Sequence, residues 1–192
     1  MNNLMNYHSI DLDNDNSIMQ RDSIQEKIKY GLIDFKNQFF IKKVYLTGLI
    51  FGLALYGLSS FYLNLFNLES QGNGNDKGIV DSMKKNPILQ TFLVCIVGPL
   101  LEEFIFRKCI FGYLKKYSNI LAYILSSFVF AIAHLSDMNT IKNDLIYIPS
   151  LFFSGLLLAF AYDLDGYLLS SILTHGCNNL IETILVLKKI FY

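Results

Sequence analysis

From Val97 to Arg107 the chain reads VGPLLEEFIFR. Apolar residues continue on both sides of this stretch, from Pro87 to about Tyr113. A mostly apolar helix of about 17–25 residues crosses a bilayer, so the segment reads as a transmembrane span. Its middle nevertheless holds Glu102, Glu103 and Arg107. An ionisable group at the centre of a spanning helix costs about 2.5–3.5 kcal/mol, so such groups face protein and find partners. Glu103 and Arg107 are four residues apart on one face and can pair. Glu102 is rotated by about 100° from Glu103 and is left to face another helix. Pro99 lies in the same span. It removes a backbone donor, which should kink the helix and free a carbonyl close to the glutamates.

The rest of the 192-residue chain supports a membrane reading. Hydrophobic residues make up 53% and charged residues 17%, against about 25% charge in an ordinary soluble domain. No Asp, Glu, Lys or Arg falls between Lys116 and Asp137, nor between Asp144 and Asp163. Five spans are expected: Val44–Phe66, Pro87–Tyr113, Asn119–Leu135, Leu145–Tyr162 and Tyr167–Leu187. The third is near the short limit for a span. The expected fold is all-α: a polytopic transmembrane bundle over residues 44–192, preceded by a polar segment at 1–43. Asn67–Asn86, with three glycines, reads as a polar loop.

Met1–Gln20 is rich in Asn and Asp, carries no cleavable-signal pattern and is expected to be disordered. His8 belongs to this tail. An amphipathic helix is expected over Asp22–Phe40. Ser23 and Glu26 have capping-box spacing, and Ile24, Ile28, Leu32, Phe35 and Phe39 fall on one face. Such a helix suits the headgroup plane or the protein's own cytosolic side. Lys27, Lys29, Lys36, Lys42 and Lys43, with Lys115 and Lys116, favour a cytoplasmic N-terminus. Lys77, Lys84, Lys85, Lys188 and Lys189 oppose it.

Zero net charge gives no nucleic-acid footprint. Cys95, Cys109 and Cys177 are odd in number and all lie in expected spans, so they read as small apolar residues rather than a disulfide framework. Two of the three histidines, His134 and His175, also lie in spans. His175 and Asn179 are four apart, with Asn178 beside them and Glu182 a turn further on, forming a polar stripe. Polar groups can simply hold membrane helices together, at about 0.6 kcal/mol each. Three helices that each offer a group able to move protons or bind metal, Glu102, His134 and His175, exceed that need.

These residues carry a resemblance. VGPLLEEFIFR resembles the EExxxR motif of the CAAX prenyl protease type 2 and bacteriocin-processing family. FAIAH, Phe130–His134, is similar to its FxxxH motif, and HGCNN, His175–Asn179, to its HxxxN motif. The three stand in the family's order over about residues 88–187. Two departures are Lys108, where members often have Gly, and about five spans where many members have more. HExxH, GxGD and rhomboid-type serine signatures are absent.

The resemblance implies an intramembrane endopeptidase of bacterial plasma-membrane type, acting on a membrane-associated or lipophilic peptide. Glu102 would be the general base, His134 would help hold the water, and His175 and Asn179 would donate to the oxyanion. Glu103 and Arg107 would orient them, and Phe130 would pack beside His134. Glu102, His134 and His175 could equally form a zinc set with an open fourth position, so zinc and metal-free mechanisms both stand. The Asn-, Lys- and Ile-rich composition suits an AT-rich bacterial genome and argues against a prenyl-protein substrate. The rival reading is a non-catalytic membrane immunity protein using the same fold. A transporter ranks third, because the spans show no inverted repeat.

Overall fold

The computed structural model of the protein describes residues 24–68, 74–135 and 144–191. Met1–Gln20, His8, Ser23 and residues 69–73 of the expected loop lie outside them. Among the described residues every regular element is helical. The chain divides into two units, one ending at Phe40 and one running from Ile41.

In the first unit, helix α1 covers residues 24–38. Ile24, Ile28 and Leu32 are exposed along it, and Phe35 packs edge-on against Phe39 at 5.5 Å.

The second unit holds α2 (Lys42–Leu65), α3 (Gly74–Lys85), α4 (Pro87–Leu114), α5 (Asn119–Ala133), α6 (Ile148–Asp165) and α7 (Leu168–Phe191). Local chemistry sets the boundaries. Asn86 accepts from the Leu89 N–H at 3.2 Å, and Pro87 occupies the first turn of α4, where no backbone donor is needed. Ser118 caps α5 through the Leu121 N–H at 3.3 Å. Gly166, at φ 72°, ends α6 in the left-handed conformation.

Among the described residues three helices are long and apolar enough to span a membrane: α2, α4 and the segment Leu145–Asp165 that contains α6. The chain is an integral membrane protein. Helix α5 is apolar but has 15 residues, and α7 has 24 residues with the polar stripe along it. The large exposed apolar side chains, such as Leu46, Phe61, Ile96 and Phe128, suit lipid contact.

One expectation is corrected. Residues 74–85 of the expected loop form α3. Ile79, Val80 and Met83 share one side of it, and Met83 is 2% exposed, so burial of this short apolar edge offsets the glycines.

Helices α2 and α7 cross closely because of two glycines. A Cβ on Gly48 would lie 2.5 Å from Leu173 Cβ, and one on Gly52 would lie 2.6 Å from Cys177 Cβ. Each pair is one turn from the other, as in close-packed membrane helix pairs.

At one end of the bundle Lys43 pairs with the buried Asp165 at 2.6 Å, and Lys115 pairs with Asp163. Ser170 donates to Asp165 at 2.9 Å. These contacts compensate two acids at a helix C-terminus, where the dipole disfavours negative charge. Asp163 also accepts from Tyr123 at 3.0 Å, which ties the end of α6 to the first turns of α5.

Candidate active site

Glu102, His134 and His175 reach one point from α4, α5 and α7. One ligand atom of each lies within 4.8 Å of the others. Glu102 Oε2 is 3.4 Å from His134 Nε2 and 3.8 Å from His175 Nε2.

The other ring nitrogen of each histidine is engaged. At the end of α5 the His134 N–H turns back to Ala131 O at 3.3 Å. Its regular α-helical acceptor, Phe130 O, instead lies 2.9 Å from His134 Nδ1. A carbonyl only accepts, so Nδ1 carries the proton. His175 Nδ1 lies 3.0 Å from Glu103 Oε1, and Glu103 Oε2 accepts from Arg107 Nε at 2.9 Å. A carboxylate paired with arginine also only accepts, so His175 Nδ1 is again the protonated nitrogen. In the neutral rings both Nε2 atoms therefore turn lone pairs towards Glu102.

Three acceptor atoms facing one another call for a cation, a proton or a donating water between them. Glu102 Oε2 is buried with no hydrogen-bond partner among the described residues. One carboxylate oxygen and two imidazole nitrogens, with both Nδ1 atoms held by outer acceptors, also make a donor set suited to zinc.

Glu103 and Arg107 are each 0% exposed. Their four-residue spacing forms the expected pair, but Glu103 additionally reaches His175 on another helix. The Arg107 guanidinium stacks on the Phe130 ring at 5.1 Å, a cation–π arrangement. The same ring lies 4.3 Å from His134 and 5.9 Å from His175. Phe130 thus packs between the arginine and both histidines.

Asn179 lines the same cavity as Glu102, His134 and His175 and is tied to α4. Its Nδ2 donates to Val94 O at 3.0 Å, and its Oδ1 accepts from Asn178 at 3.1 Å. One amide hydrogen is therefore committed to the backbone of α4.

A cavity of about 520 Å³ contains Glu102, His134 and His175. It extends along α7 past Asn178 and Glu182 to Lys189, with Met83 of α3 on its wall. The α3 contribution was missed in the sequence. Its signal was the Ile79, Val80, Met83 spacing inside an otherwise polar segment.

The described residues thus form an all-helical membrane bundle in which a carboxylate and two histidines from three helices meet. The model of the type II CAAX prenyl endopeptidase Rce1-like family matches residues 84–181, about half of the 192-residue chain, and the chain belongs to that family of membrane peptidases. It is 32% identical over 149 residues to the "Membrane-embedded CAAX protease MroQ" of Staphylococcus aureus, covering 72% of this chain and 57% of that protein. It is 30% identical over 172 residues to the "Putative membrane peptidase YdiL" of Bacillus subtilis, covering 89% of this chain and 61% of that protein. The chain thus spans about three fifths of the length of these relatives. No solved structure matches it.

Proposed function

We propose that this chain is an intramembrane endopeptidase that hydrolyses a membrane-associated or lipophilic peptide with water activated by Glu102. The observation that carries this reading is the convergence of Glu102 Oε2 with two Nε2 atoms, both Nδ1 atoms being engaged elsewhere. A helix-packing role does not require three acceptors to face one another.

In this reading a water donates one hydrogen to Glu102 and the other to His134 Nε2. Glu102 takes the proton as the water attacks the peptide carbonyl, then returns it to the leaving amine. Donation from His175 Nε2 to the developing oxyanion requires that ring to carry a proton on both nitrogens in this step, with its Nδ1–H held by the Glu103 carboxylate. Arg107 keeps Glu103 ionised and in place. Zinc could be held by Glu102, His134 and His175, where it would make a bound water more acidic and polarise the carbonyl.

The family match and the word "protease" in the name of MroQ support peptide hydrolysis. Lys43 and Lys115 lie at the same end of the bundle through their ion pairs. This supports placing the N-terminus on the cytoplasmic side of a bacterial plasma membrane. The test is incubation of the purified chain in liposomes with lipophilic peptides in ¹⁸O-labelled water. Fragments with ¹⁸O at the new carboxyl terminus are expected. Intact peptides under conditions that keep the chain folded would overturn the reading.

A further inference from the structure

Helix α4 is interrupted by a π-helical turn at Leu93–Val97, immediately before Gly98 and Pro99. In this turn the Gly98 N–H goes to Leu93 O. Val94 O therefore loses Gly98, its regular α-helical donor. The next residue able to serve it in a π pattern is Pro99, which has no N–H. Cys95 O loses its α-helical donor for the same reason, since residue 99 is that donor. Val94 O is thus left without a partner in its own helix, and Cys95 O without its α-helical donor, inside a membrane protein, where an unsatisfied carbonyl costs several kcal/mol.

Helix α7 meets both. Asn179 Nδ2 donates to Val94 O at 3.0 Å. Gly176, one turn earlier, lies so close to Cys95 that a Cβ there would be 2.7 Å from Cys95 O. One turn after Asn179, Thr183 Oγ1 lies 3.6 Å from Cys95 Sγ. Gly176, Asn179 and Thr183 form a single strip on α7, on the same helix as His175. The opened turn on α4 precedes Glu102 by two helical turns.

We infer that Asn179 is a positioning residue: by holding Val94 O, it fixes the register of Glu102 on α4 against His175 on α7. Its contribution to the reaction comes through α4 rather than through contact with the oxyanion. Pro99 creates the vacancy that Asn179 fills, and Gly176 provides the room. The catalytic consequence rests on the peptidase reading above. The structural link does not.

The experiment combines kinetics with hydrogen–deuterium exchange on the full chain in liposomes, for the wild type, Asn179→Ala, Pro99→Ala and the double variant. Asn179→Ala is expected to lower kcat by roughly 100-fold with little change in KM, the effect of displacing a reacting group by about 1 Å. Residue 99 carries an N–H in Pro99→Ala, so α4 can satisfy its own carbonyl. In that background Asn179→Ala should lower kcat by less than about 5-fold, well short of the loss from misplacement. Exchange of α4 amides around residues 93–103 should rise in Asn179→Ala and return towards wild type in the double variant. Gly176→Ala, which pushes on Cys95 O without removing an amide donor, should raise the same exchange and lower kcat. An equal kcat loss in both backgrounds, with α4 exchange unchanged, would overturn the inference and return Asn179 to the oxyanion. If Pro99→Ala fails to fold, the exchange of Asn179→Ala and Gly176→Ala decides alone. A wild type that cleaves no peptide would sink the peptidase reading, while the exchange measurements would still test the link between the helices.

Discussion

Glu103 Oε1 and His175 Nδ1 lie 3.0 Å apart across two helices, and the second oxygen of Glu103 is held by Arg107 at 2.9 Å. Arginine, carboxylate and imidazole form one buried chain that ends at His175 Nε2, facing Glu102. The pair deduced from residue spacing is therefore also the support of a candidate site residue.

Arg107→Ala should destabilise the protein by about 3–5 kcal/mol, because it leaves Glu103 charged, buried and without its cation. Unfolding in mixed micelles measures this directly. A loss below about 1 kcal/mol, the range of an exposed pair, would show that the pair contributes little to stability.

Glu103→Gln should lower both stability and cleavage, since the amide has one acceptor oxygen and cannot take both the Arg107 Nε and His175 Nδ1 hydrogen bonds as the carboxylate does. Loss of cleavage with unchanged thermal midpoint and metal content would place Glu103 among the groups that act directly in the reaction.

Gly48→Val should separate α2 from α7, because its Cβ would lie 2.5 Å from Leu173 Cβ. Overpacking of this kind typically costs about 1–3 kcal/mol. The thermal midpoint should fall, whereas Gly57→Val should leave it nearly unchanged because nothing lies within 4 Å of a Cβ there. Equal midpoints for the two variants would contradict the close crossing.

Much of this arrangement was legible in the sequence because lipid leaves few choices. Glu102, Glu103 and Arg107 in one apolar run, with His134 and His175 in two others, had to turn inward. Four-residue spacing was enough to pair Glu103 with Arg107. The meeting of His134 and His175 was harder to see. His134 follows the last residue of α5 and His175 stands seven residues into α7, so their meeting depends on how separate helices are offset in the bundle, which spacing within one helix does not encode. Helix α3 was hidden because glycines and charges dominate its composition, whereas Met83 owes its burial to tertiary packing. The link between Asn179 and Val94 involves a backbone carbonyl, which has no letter in the sequence. Pro99 signalled that a carbonyl would be freed, but not which helix would take it.

Metal content separates the two forms of the mechanism. If zinc binds, Glu102→Ala, His134→Ala and His175→Ala should each lower it, chelation should stop cleavage, and Asn179→Ala should spare the metal. Active protein without stoichiometric metal that survives chelation would leave the glutamate-base mechanism alone.

The central claim, that Glu102 activates water for peptide hydrolysis, is tested most directly by comparing Glu102→Ala with the wild type on one lipophilic peptide in liposomes. The account expects cleavage by the wild type and a rate lower by about 10²–10⁴-fold in the variant, the usual contribution of a general base, with both proteins folded. Equal cleavage rates would contradict it.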